Sequence, residues 1–136
     1  MKKVLNMLTV LLLAVAAASC DRDRPGDEFL ESEDPCLIVD GRTVHRFDPL
    51  GWQLGYNAAR KEFRVHNDSM SDYYILECDH LPTERGETVT GDLKWSGSSM
   101  MYRRNLTFEV MKTDAQGRIW LWSRKNRIAV SVMALK

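Results

Sequence analysis

The segment Leu106-Thr-Phe-Glu-Val-Met-Lys-Thr-Asp-Ala-Gln-Gly-Arg-Ile-Trp-Leu-Trp-Ser-Arg-Lys-Asn-Arg-Ile-Ala-Val-Ser-Val-Met-Ala-Leu135 decides the fold. Leu106, Phe108 and Val110 alternate with Thr107, Glu109 and Met111, the period-two pattern of a half-buried strand. Asp114-Ala115-Gln116-Gly117 supplies turn chemistry, and Ile119-Trp120-Leu121-Trp122 makes the next strand. After a turn at Arg124 to Asn126, Ile128, Val130, Val132 and Ala134 share one face of a third strand. Three antiparallel strands in a meander are predicted.

Working upstream, Val89 to Trp95 and Tyr73 to Cys78 read as strands. Phe63 and Val65, with Arg64 and His66 opposite, suggest another. Cys36 to Val39 precedes a turn at Asp40-Gly41, and residues 43–47 could continue the pattern. Trp52, Tyr56, Ala59 and Phe63 fall at helical spacing behind Asp48-Pro49. Gly51 and Gly55 oppose a helix at about 1 kcal/mol each, so a hairpin turning near Asn57 to Arg60 is preferred. Seven to nine short strands predict an all-β domain, a small antiparallel barrel or sandwich, over residues 35–136.

The first twenty residues differ in kind. Lys2 and Lys3 lead into an apolar run from Val4 to Ala18, and small residues then precede Cys20. This is the make-up of a secretory signal peptide over residues 1–19. Fifteen helical residues span about 22 Å, short of the roughly 30 Å hydrocarbon core. Ala17-Ala18-Ser19-Cys20 resembles the lipobox of bacterial lipoproteins, with Ala17 standing where a larger aliphatic residue is usual. The resemblance implies cleavage before Cys20 and acylation of its thiol with palmitate-type chains. The alternative is ordinary cleavage within the alanines.

Residues 21–34 hold seven acidic residues against Arg22 and Arg24, a net −5, and only Phe29 and Leu30 are apolar. Such a stretch cannot bury enough surface to offset its ordering entropy, so residues 20–34 read as the lipid cysteine and a disordered tether. An acidic stretch behind the lipid cysteine resembles the surface-export signal of Bacteroidota lipoproteins, which implies an outer-membrane location. Asp21 next to the cysteine resembles instead the inner-membrane retention signal of enteric lipoproteins, and a spacer holding the domain off the membrane, on its periplasmic or outer side, is the alternative. The domain behind it carries 15 basic and 12 acidic residues, too few net charges for a nucleic-acid footprint.

With Cys20 committed to lipid, Cys36 and Cys78 remain, and an oxidising compartment invites a disulfide between them. Two buried thiols are the alternative. Asp68-Ser69-Met70 resembles the O-glycosylation motif of exported Bacteroidota proteins, which would place a glycan on Ser69.

Catalytic patterns are sparse. His45, His66 and His80 form no HExxH, and no CxxC occurs. In Cys78-Asp79-His80, strand geometry turns Asp79 away from both neighbours. Gly86 and Gly91 have phosphate-loop spacing, but Asp92-Leu93 stands where a lysine is required, and Gly97-Ser98-Ser99 lacks the second glycine of a nucleophile elbow. Trp120 and Trp122 share one face, with Ile119 and Leu121 on the other. Either the strand is covered twice, or an aromatic surface beside Arg118 and Arg124 is open to a sugar or protein. The expectation is a membrane-anchored, non-catalytic binding or structural module of the cell envelope, with no cofactor and a glycan or envelope protein as partner. The alternatives are a small hydrolase built on a histidine and an acid, and an inhibitor or immunity-type lipoprotein.

Overall fold

The computed structural model describes residues 24–134, so the signal segment and Cys20 lie outside the described residues. The chain runs α1 (Asp27–Glu31), β1 (Cys36–Val39), β2 (Arg42–Arg46), a 3-10 helix (Pro49–Leu54), β3 (Tyr56–Asn57), β4 (Glu62–His66), β5 (Tyr73–Cys78), β6 (Thr88–Trp95), β7 (Met101–Thr113), β8 (Arg118–Ser123) and β9 (Ile128–Met133). All nine strands form one antiparallel sheet in the order β2-β1-β9-β8-β7-β6-β5-β4-β3, curled into a half-barrel. From β3 onward each strand pairs with the next in sequence. β1 then docks along the far side of β9, where Leu37 faces Val130 and Val39 faces Ile128.

The expected meander is present as β7, β8 and β9, and the hairpin near Asn57 is β3–β4. The helical spacing behind Pro49 is expressed too, as one short 3-10 helix ahead of that hairpin. Gly55, at φ +59, lets the chain leave it.

Alternation fills the inside of the curl. Phe63 and Val65 of β4, Tyr74 and Leu76 of β5, Leu93 of β6 and Leu106, Phe108 and Val110 of β7 are all buried. They meet Leu121 of β8 and Val130 and Val132 of β9 in one cluster. Each large apolar side chain contributes about 1.5–3 kcal/mol by leaving water. Side chains then tie the curl across its width. The Tyr74 hydroxyl donates to the Ser131 carbonyl at 2.6 Å, and the Tyr74 ring stacks on Phe47 with centroids 5.9 Å apart. His45 Nε2 reaches the Ser96 carbonyl at 2.7 Å, joining β2 to the end of β6. β7 bends where its register with β6 shifts, and there Asp92 Oδ1 accepts the Asn105 N–H at 2.9 Å. Gly91 is required at this place, because a Cβ would collide with the Glu77 carbonyl on β5.

A second, smaller cluster lies on the outer face: Trp120, Trp122, Ala129 and Cys36, with Phe29 of α1 laid over them. This corrects the expectation of a disordered tether reaching residue 34. Phe29 is 1 % exposed, Lys112 Nζ donates to the Leu30 carbonyl at 2.8 Å, and Trp52 Nε1 donates to the Glu33 carbonyl at 3.0 Å. Composition undervalued the segment because two apolar residues suffice when a ready-made aromatic surface receives them.

The disulfide is corrected as well. Cys36 and Cys78 are both free and buried, and they belong to different clusters, Cys36 outside the sheet and Cys78 inside it. Four strands separate β1 from β5 in the sheet order. Parity of cysteine count suggested a pair, but strand register placed the thiols on opposite sides.

Candidate functional site

Trp120 and Trp122 do not form an open binding surface. They are 2 % and 8 % exposed, because β8 is covered on both faces. Lys112 Nζ sits 4.5 Å from the Trp120 ring centroid and the Arg118 guanidinium 5.8 Å from it. The Trp120 Nε1–H is buried without a hydrogen-bond acceptor among the described residues. Burial also raises both thiols, Cys36 upward from its ordinary value and Cys78 to about 12, so each is a neutral, unreactive group near neutral pH.

The three histidines are scattered. His45 stacks on Phe47 at 5.3 Å and bonds the Ser96 carbonyl, a structural use. His66 Nδ1 donates to the Asn67 carbonyl at 2.6 Å at the end of β4. His80 has more chemistry around it: Nδ1 lies 3.0 Å from Asp79 Oδ1 and Nε2 lies 3.2 Å from Glu87 Oε1. Asp79 therefore faces His80, contrary to the strand-parity expectation, because β5 ends at Cys78 and the backbone turns there. The other Glu87 oxygen accepts the Thr83 and Glu84 N–H groups, which hold this carboxyl below its usual pKa. Both His80 ring nitrogens are thus engaged by carboxylates at an exposed chain reversal, while Cys78 points into the core. Among the described residues no group of three or more His, Cys, Asp or Glu side chains is arranged to hold a metal ion.

Ser69 stands exposed at the tip of the β4–β5 hairpin, its hydroxyl 2.8 Å from that of Ser71. The same tip presents Met70, with φ +61 and 59 % exposure. Facing it, the β6–β7 loop presents Met100 at 65 %. These are the most exposed large apolar side chains in the described body. Between them lies a recess of about 400 Å³ on the outer face of β4, β5 and β6, with Tyr73 and Ile75 as floor and Arg64, His66 and Lys94 around it. Alternation explains the floor: Tyr74 and Leu76 face inward, so Tyr73 and Ile75 must face out. Lys94 Nζ is held by Glu77 Oε1 at 2.9 Å, which raises its pKa, and lies 5.3 Å from the Tyr102 ring centroid.

This patch was missed in the sequence. The available signal was a methionine inside each polar turn, Ser69-Met70-Ser71 and Ser99-Met100, where solvated residues are the rule. A second recess of about 300 Å³ opens beside α1, lined by Arg24, Pro25, Phe29, Ile38, Trp122 and Arg127 among others.

Compared with known proteins, the chain matches no family model, no curated protein and no solved structure.

Proposed function

We propose that this chain is an exported, membrane-anchored lipoprotein whose β domain is a non-catalytic binding module for a protein of the cell envelope. The lipobox-like Ala17-Ala18-Ser19-Cys20 supports the anchor. The observation that carries the binding role is the Met70–Met100 patch. Two flexible, polarisable thioethers standing over Tyr73 and Ile75 suit an adaptable protein contact. A sugar is less well served, because the two tryptophans lie under α1 and the recess offers only the half-buried Tyr73 ring. Histidine–acid catalysis has less support, because His45, His66 and His80 are scattered and the His80–Asp79–Glu87 group sits at an exposed chain reversal.

The test is crosslinking in intact cells through a photoreactive residue at position 70 or 100, with position 60 as control. A single stoichiometric adduct from 70 and 100 only is expected, and Met70→Asp with Met100→Asp should abolish it. No adduct, or the same adducts from position 60, would remove the binding role. The anchor is tested separately, by the mass of the mature N-terminus.

A further inference from the structure

Arg24 is the first described residue, and it lines the recess beside α1 together with Gly41, Trp122 and Arg127. Only Asp21, Arg22 and Asp23 separate it from Cys20. Four Cα steps reach at most about 14 Å. An acylated Cys20 therefore keeps this end of the folded body at the headgroup layer.

Two turns meet at the same end. The Asp40 N–H donates to the Arg127 carbonyl at 3.0 Å, so the β1–β2 turn and the β8–β9 turn sit side by side. They bring Arg42, Arg124, Lys125 and Arg127 toward Arg24, and all five side chains are exposed. Arg124 and Lys125 line a further recess that shares Trp122 with the first. Among the described residues only Arg24 of these five has an ion-pair partner, Asp27 at 3.5 Å. Asp27 and Glu28 of α1, Asp40 and Glu109 are the exposed acids beside them, and the five cations outnumber these four. Arg127 also holds φ +53, a conformation that glycine would occupy with less strain.

We propose, resting on the reading of Cys20 as the anchor, that this basic surface docks on the anionic phosphate layer of the bilayer that holds the lipid. The domain then lies on the membrane with Arg24, Arg124, Lys125 and Arg127 against headgroups. Each such cation favours partitioning to an anionic surface by about fivefold. Screening over about 8 Å at physiological salt confines the effect to groups held this close.

The experiment uses the chain from residue 20 with Cys20→Ser, so that no acyl chain contributes. It is mixed with vesicles of phosphatidylglycerol or of phosphatidylcholine and sedimented. Preference for phosphatidylglycerol is expected, lost at high salt. Arg124→Gln, Lys125→Gln and Arg127→Gln together should weaken it by about tenfold to a hundredfold. Arg60→Gln, Arg103→Gln and Arg104→Gln, an equal loss of charge elsewhere, should change it by less than about twofold. Equal binding to both lipids, or equal loss from both triple variants, overturns the proposal. An unmodified mature N-terminus with lipid preference intact would remove the anchor and leave the docking surface, whereas an acylated Cys20 without lipid preference would do the reverse.

Discussion

Over β8, β9 and β1 the outer face of the sheet carries Trp120, Trp122, Ala129 and Cys36 beneath Phe29 of α1. Over β4, β5 and β6 the same face carries Tyr73, Ile75 and Lys94, rimmed by exposed Met70 and Met100. One half is finished by the chain's own N-terminal segment, and the other is left half-open. The cover is not a stable element in its own right. α1 has five residues and no side-chain cap, far below the length at which an isolated helix survives. Its order comes from the aromatic surface beneath it. An outer face thus becomes core wherever a passing segment finds rings to lie on, and remains a contact surface where none does.

Removing the cover should break the distinction between the halves. Phe29→Ala is expected to cost about 3 kcal/mol in urea unfolding, within the range for a buried aromatic. In the folded variant, acrylamide quenching of tryptophan emission should rise and Cys36 should alkylate before Cys78. Equal rates at the two thiols would mean that α1 does not seal this half. Alkali tests both halves together. The folded thiols titrate above the ordinary value near 9, Cys78 at about 12, so the unfolded chain loses its protons first. Stability is therefore full below pH 9 and falls as pH rises toward 12, by up to about 1.4 kcal/mol per unit for each buried thiol. Cys78→Ala should flatten that slope. Trp120→Phe is the subtler test: it gives up ring area but also removes a buried N–H that has no acceptor among the described residues, so the net change should stay within about 1 kcal/mol. Met70→Ser with Met100→Ser, on the open half, should shift stability by no more than about 0.5 kcal/mol.

What the sequence disclosed follows from how local each signal is. Strand alternation needs no knowledge of partners, so Tyr73 to Cys78 and Cys36 to Val39 appear with the same bounds in sequence and structure. The double apolar pattern of Ile119 to Trp122 correctly offered a strand covered twice, but it could not name the cover. Phe29 and Leu30 stand among seven acids, and nothing local distinguishes a docked pair of apolar residues from a stray one. The second face of β9 was left unassigned for the same reason. Ala129 and Ser131, opposite the face that Ile128, Val130 and Val132 share, are buried under α1 and β1, and Ser131 Oγ accepts the Cys36 N–H at 2.9 Å. The Met70–Met100 patch needed two hairpins to be placed side by side, which only the sheet order supplies.

The pairing of β1 with β9 also sets a clock. Leu37 faces Val130, 93 positions later in the chain, so the strand made first waits for the strand made last. At 5–20 residues per second the delay is about 5–20 s during synthesis. Throughout that interval β3 to β8 can zip in order, while β1 has only its hairpin partner β2 and waits for the edge of β9. Phe29 of α1 consequently docks late, once Trp120 and Trp122 of β8 and the β9 strand beside them are in place.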